Sequence, residues 1–189
     1  MPSTCLNTSI TKDQDTESKN TPCFSKSFKV KPLRGSSYIP TPEKFANSRC
    51  GLVNIKNEDN ECFKWCMKYH QSKKEKNGDR TSVLSKIEDK YNYENVNFPA
   101  GFDDIETFEH NNKVSVFVYN ITDGAITREK VGNPEYILND SVYLLRIEQE
   151  ELSHYVYIKH LSRLININAH GKATGKNLCP YCEKHVINV

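Results

Sequence analysis

At Lys113 the spacing of apolar residues changes from every three or four positions to every two, and no other feature limits the folds open to this chain so much. Val114, Val116 and Val118 alternate with Ser115, Phe117 and Tyr119. That pattern predicts a strand apolar on both faces, hence a central one. Thr122-Asp123-Gly124 reads as a hairpin turn into a weaker strand over 125–128. Strong strands follow over 142–147 and 153–158, joined by the acidic loop 148–151. Strands this close in sequence predict antiparallel pairing. Residues 161–164 read as a short helical turn or a strand end.

The earlier half predicts helices. Gly51-Leu52-Val53-Asn54-Ile55 reads as a short strand, and 57–61 as a polar turn. A buried helix over 62–71 places Phe63, Cys66, Met67 and His70 on one side, with Trp65 and Tyr69 as a second pair one turn apart. The lysine-rich 72–78 reads as a loop, and 82–91 as a modest helix packing through Val83, Leu84 and Ile87. A helix over 102–110 carries Asp103 and Asp104 in its first turn, where acids suit the dipole. Helices first and an antiparallel sheet second predict an α+β domain. Residues 1–35, rich in Ser, Thr, Asn and Lys, read as a disordered leader. The folded domain is expected over 36–169, with a tail over 170–189.

Composition excludes several classes. The chain has 189 residues, enough for one well-buried domain. Its longest apolar run falls far short of the ~20 residues a membrane helix needs, so no membrane partner is expected. Seven cysteines at irregular spacings, with no apolar secretory run, predict a reducing intracellular compartment, cytoplasm or nucleus, rather than a disulfide scaffold. A net charge of +2 does not by itself require nucleic acid, although positive charge gathers between Lys64 and Arg80.

Cys62 is the candidate nucleophile, because a strand, a polar turn and a helix-opening cysteine are how thiol nucleophiles are mounted. Asp59 and Asn60 are suitable N-caps, which places Cys62 where free N–H groups and the dipole favour a thiolate. The competing reading is a small apolar filler. His154 is the candidate base, at the start of a strand after an acidic loop. Cysteine early and histidine late is the order of papain-like enzymes. Backbone N–H groups at the helix start, or Asn57 or Asn60, are candidates to stabilise an oxyanion. Cys66, His70 and His110 read as packing or helix-end residues.

Asp59-Asn60-Glu61-Cys62-Phe63 resembles the D-G-N-C-F signature of ovarian-tumour-type (OTU) deubiquitinating cysteine peptidases, and His154-Tyr155 resembles their H-Y motif. The resemblance implies a papain-like fold, Cys62 and His154 as catalytic residues, and ubiquitin-like or polyprotein substrates. It departs at Val156, where that family places Asn or Asp to orient the histidine. Asp59 is one candidate for that role, since a carboxylate three residues before the nucleophile belongs to the OTU pattern. Asn166 and Asn168, from a strand after His154, are others.

A second resemblance spans about 36–185. S-S-Y-I-P-T-P, L-V-N-I-K-N-E-D-N-E-C-F-K-W-C, F-P-A-G-F-D-D-I-E-T-F-E, V-Y-L-L-R-I, H-Y-V-Y-I-K-H-L-S-R-L-I and C-P-Y-C occur in that order. Together they resemble invertebrate proteins similar to the region upstream of protein-primed type B DNA polymerases in Polinton (Maverick) mobile elements. This implies descent from a mobile element or virus without implying a chemistry. Cys179 and Cys182 have zinc-knuckle spacing, with His185 and His170 as the remaining candidate ligands. In the family that position looks like the opening half of a two-Cys, two-His finger, so a zinc-finger remnant is the alternative. Beside the peptidase stand two rival readings: a nucleic-acid-binding replication accessory, favoured by the lysines and the C-P-Y-C pair, and a decoy or inhibitor that kept the fold.

Overall fold

The structure, a computed structural model, describes residues 38–72, 79–170 and 179, and of 167–170 only the backbone course. The expected leader, the lysine-rich loop 73–78 and most of the tail lie outside the described residues. The alternating runs form strands β2 (Ser115–Thr122), β3 (Ala125–Lys130), β4 (Ser141–Gln149) and β5 (Leu152–Ile158). Between β2 and β3 the two-residue turn Asp123-Gly124 has both residues in the left-handed region, at φ 52° and 73°, the twist that a tight hairpin requires. A short strand β1 (Leu52–Val53) from the helical half completes one five-stranded sheet, in the order β1-β5-β4-β2-β3.

The expectation of an antiparallel sheet is corrected at its centre. Strand β2 pairs with β4 in parallel, Ser115 opposite Ser141 and Asn120 opposite Arg146, while the other three pairings are antiparallel. The hairpin puts β3 on the outer edge, so the chain must pass the start of β2 to reach its other side. A carboxylate holds that crossing in place. Glu109, buried in helix α3 (Phe102–Asn112), accepts the N–H groups of Val116 and Asn133 at 2.6 and 2.9 Å and pairs with buried Lys130 at 2.7 Å. Where the crossing meets β2, a Cβ on Gly132 would come within 2.8 Å of the Phe117 ring, so only glycine passes.

Two helices also differ from expectation. The segment expected as a helix over 82–91 is helical only as α2 (Thr81–Leu84). Beyond it Asp89 accepts the N–H of Tyr91, and Asn92 that of Glu94, side-chain turns that compete with a helix. Residues 161–164, read as a turn or strand end, open a full helix, α4 (Leu161–His170).

The sheet is covered on both sides. Tyr155, Tyr157, Leu144, Val142, Val116 and Val118 face α3 and the long helix α1 (Cys62–Ser72). Val156, Ile158, Leu145, Ile147, Phe117 and Tyr119 face Ile39, Phe45, Cys50 and the Leu161 and Leu164 side chains of α4. This is an α+β architecture whose central strands have no wet face, as the apolar alternation requires. Among the described residues no helix is long and apolar enough to cross a membrane.

Candidate active site

Cys62 opens α1 and the sequence dictates why the helix starts there. Asp59 Oδ1 accepts the Glu61 N–H at 2.9 Å and an N–H of the Asn57 amide at 3.0 Å, closing the polar turn, and both carboxylate oxygens receive the Trp65 indole N–H. Asp59 thus braces the turn two residues ahead of the N-cap position, which Glu61 occupies, its carbonyl taking the first helical N–H from Trp65. Burial alone would raise the Asp59 carboxyl, but hydrogen bonds from Asn57, Glu61 and Trp65 and the nearby Lys64 charge bring it below its ordinary value.

The register of β5 explains what Cys62 touches. Lys159 donates its N–H to Gly51 O at 2.7 Å, so 159, 157 and 155 point their backbone groups towards the β1 side. Strand β1 ends at Val53, short of Tyr155. The start of α1 takes over where the strand stops. The Cys66 thiol donates to Tyr155 O at 3.4 Å, and the Tyr155 N–H is directed at the Cys62 sulfur. The nucleophile candidate therefore lies against the peptide that joins His154 to Tyr155.

His154 is fully buried in β5. Its Nε2 meets Asn54 Oδ1 at 2.9 Å, and the Tyr38 ring stands edge-on to it with centroids 5.8 Å apart. The Asn54 amide nitrogen donates to Ile39 O at 2.8 Å and to Thr41 Oγ1 at 2.9 Å. Asn54 was not among the expected site residues. The signal for it was a polar residue interrupting the apolar run Leu52-Val53-Asn54-Ile55.

The remaining candidates fall elsewhere. Asn57 is buried, and its amide N–H groups are committed to Asp59 O at 2.6 Å and Oδ1 at 3.0 Å, so they do not point to an oxyanion. Asn60 is exposed. Asn166 and Asn168 lie on helix α4, so the strand expected to carry them past His154 is absent. Cys179 is half-exposed, Cys182 and His185 lie outside the described residues, and of His170 only the backbone at the end of α4 is described. Among the described residues no three His, Cys, Asp or Glu side chains gather as a metal site would require.

The expected thiolate at Cys62 is also corrected. Its side chain is 0% exposed, and burial, against the help of the Tyr155 and Phe63 N–H groups, pushes the thiol from its ordinary 9.0 up to about 12. A helix end contributes at most about 2 kcal/mol, whereas that displacement amounts to roughly 4 kcal/mol. Burial wins, and the thiol is neutral at rest.

Comparison with protein-family models, curated proteins and solved structures finds no match to this chain.

Proposed function

We propose that the chain is a cysteine peptidase domain of papain-like, OTU-related design and of mobile-element or viral origin, acting on a ubiquitin-like or polyprotein substrate. The observation that carries this reading is the Cys62 sulfur lying against the His154–Tyr155 peptide, in a histidine whose ring is held by a side-chain amide. The D-N-E-C-F and H-Y motifs support it in the same order. In the reaction His154 takes the Cys62 proton as the sulfur attacks the scissile carbonyl carbon. The tetrahedral oxyanion is met by N–H groups at the start of α1. The C–N bond then breaks, His154 protonates the departing amine, and water hydrolyses the thioester with His154 again as base. Both residues are fully buried, so the substrate displaces what covers them, including Tyr38 over the imidazole.

The reading is tested with a ubiquitin-like protein carrying a C-terminal vinyl sulfone and with peptidyl chloromethyl ketones, adducts being located by peptide mass spectrometry. An adduct at Cys62 that is lost in His154→Ala supports it. No adduct at Cys62 from either reagent, or equal adduct in His154→Ala, overturns it.

The nucleic-acid reading has less behind it. Lys64 pairs with Glu61 at 2.8 Å and Lys68 donates to Ile87 O at 3.2 Å, so two lysines of the basic run are tied to their own domain. A zinc site at Cys179, Cys182, His185 and His170 would favour it, and binding would then weaken steeply with salt.

A further inference from the structure

A buried hydroxyl nearly always has a partner. Tyr91 breaks that rule: it is 9% exposed, and its O–H is closed off from solvent with no hydrogen-bond partner among the described residues. Burial, and then the charges of Asp140 and Asp89, hold the phenol above its ordinary value, so it keeps its proton. Tyr91 lines a cleft of about 380 Å³, within the usual size of a small-molecule site. The cleft lies away from Cys62. Its lining includes Asp140, which pairs with His70 Nε2 at 2.8 Å in the last turn of α1, whereas Cys62 opens that helix.

The walls are tied in place by bonds of the chain itself. Asn112, the last residue of α3, accepts the Asn92 N–H at 2.7 Å and donates to Asn92 O at 2.8 Å and to Phe108 O at 2.9 Å. Gln71 of α1 accepts the Lys90 N–H at 3.1 Å and donates to Glu88 O at 2.8 Å. Residues 88–92 are thereby anchored to two helices, with Tyr91 between the anchors. Two ammonium groups share the cleft. Lys90 Nζ stands 4.8 Å over the Tyr91 ring, and Lys113 Nζ stands 5.0 Å over the Tyr136 ring and 3.3 Å from its hydroxyl. Among the described residues neither ammonium has a carboxylate partner. The carboxylate of the lining, Asp140, is engaged on both oxygens, Oδ2 with His70 and Oδ1 with the Ser141 N–H at 3.0 Å. Its remaining lone pairs can still accept from a hydroxyl.

We propose that this cleft binds a small phosphate ester bearing hydroxyl groups, its phosphate held by Lys90, Lys113 and the Tyr91 O–H and one of its hydroxyls by Asp140. The inference is independent of the peptidase reading. Two ammonium groups beside a phenol that keeps its proton suit an anion with several acceptor oxygens, which phosphate supplies. A bare phosphate ion fills only part of the cleft and meets the Asp140 charge, whereas an ester fills more and turns a hydroxyl towards that carboxylate. The organic part is polar, because Val114 is the one aliphatic side chain in the lining. A sugar phosphate and a mononucleotide share this chemistry, and the base tells them apart.

The test titrates the ¹⁵N-labelled full chain with ribose 5-phosphate, adenosine 5′-monophosphate, ribose and inorganic phosphate, and follows the backbone amide shifts. Saturable shifts at 90–91, 112–114 and 139–141 with an ester, and none with ribose, support the proposal. Tighter binding of the nucleotide marks a mononucleotide site, and equal binding of the two esters a sugar phosphate site. No saturation by either ester at about 10 mM, or inorganic phosphate binding as tightly as the esters, overturns it. Lys90→Ala and Lys113→Ala should each weaken ester binding by roughly tenfold, the worth of a charge-assisted hydrogen bond near the surface. Tyr91→Phe should weaken it by roughly three- to tenfold without lowering the unfolding midpoint, because the hydroxyl it removes has no partner in the free chain. Unchanged affinity in Tyr91→Phe overturns the proposal whatever happens to stability. Lys44→Ala checks for a general effect of charge, since Lys44 bonds to Gly124 O at the hairpin end of β2, and the cleft lies at the other end of that strand. A loss there equal to that in Lys90→Ala also overturns it.

Discussion

Helix α1 carries a chemically capable side chain at each end, and the two are held by different partners. At its start Cys62 meets the backbone beside His154, a histidine bonded to a neutral amide. At its last turn buried His70 is gripped on both ring nitrogens, Nδ1 by the Tyr157 hydroxyl at 2.9 Å and Nε2 by the Asp140 carboxylate at 2.8 Å. The carboxylate accepts the Nε2 proton and the phenol donates to Nδ1, so neither nitrogen is left to do chemistry. Three polar groups from α1, β5 and the start of β4 are thereby sewn together, which is a structural task. The comparison teaches that a buried histidine is assigned by its partners. Asn54 supplies one acceptor and no charge; Asp140 and Tyr157 between them satisfy the whole ring.

The widest gap between the two ends should appear in turnover. His154→Ala is expected to slow reaction with the vinyl sulfone probe by roughly 10²- to 10⁴-fold, the usual worth of a general base. His70→Ala should leave the rate of the folded fraction unchanged, and an equal loss there would break the comparison. In denaturant unfolding the ranking inverts. His70→Ala strands the buried Tyr157 hydroxyl and should cost about 1–3 kcal/mol.

A smaller effect should follow pH. The folded Cys62 thiol sits at about 12, above its ordinary 9.0. Between those values the folded chain holds a proton that the unfolded chain has lost, so the stabilisation is complete below pH 9 and fades as pH rises towards 12. Cys62→Ala should therefore flatten the alkaline decline by roughly 1 kcal/mol at pH 10. Buried Tyr155 and Tyr157, both raised chiefly by desolvation, add to the decline in either background. The smallest change sharpens the comparison most finely. Tyr157→Phe removes one donor to His70 and should cost about 0.5–1.5 kcal/mol with no change in rate.

Local pattern made much of this fold readable in advance. The strands of the second half and the bounds of α1 follow from alternation, from the polar turn and from its Asx chemistry, all of which act over a few residues. The parallel pairing of β2 with β4 does not, because it depends on Glu109 reaching across to Val116, Asn133 and Lys130 and on Gly132 slipping past Phe117. Helix α4 was hidden by Asn166 and Asn168, poor helix formers whose segment is held by Leu161 and Leu164 against the sheet. In the candidate site, Cys62 and His154 announced themselves by motif. Their burial did not, since the apolar shell around Cys62 comes from distant segments such as Ala100 and Tyr155. Asn54 showed only as a polar break in an apolar run, because its partners lie 13 and 15 residues before it and 100 after.

On the peptidase reading, a separation of that order also governs when the chain can act. During synthesis Asn54 leaves the ribosome well ahead of the strand that bears His154, and at ordinary elongation rates a stretch of that length takes roughly 5–20 s to make. Through this interval Cys62 has neither His154 nor the cover of β5. On the peptidase reading the growing chain would carry a sulfur without its base, and hydrolytic competence would arrive only with closure of that long loop.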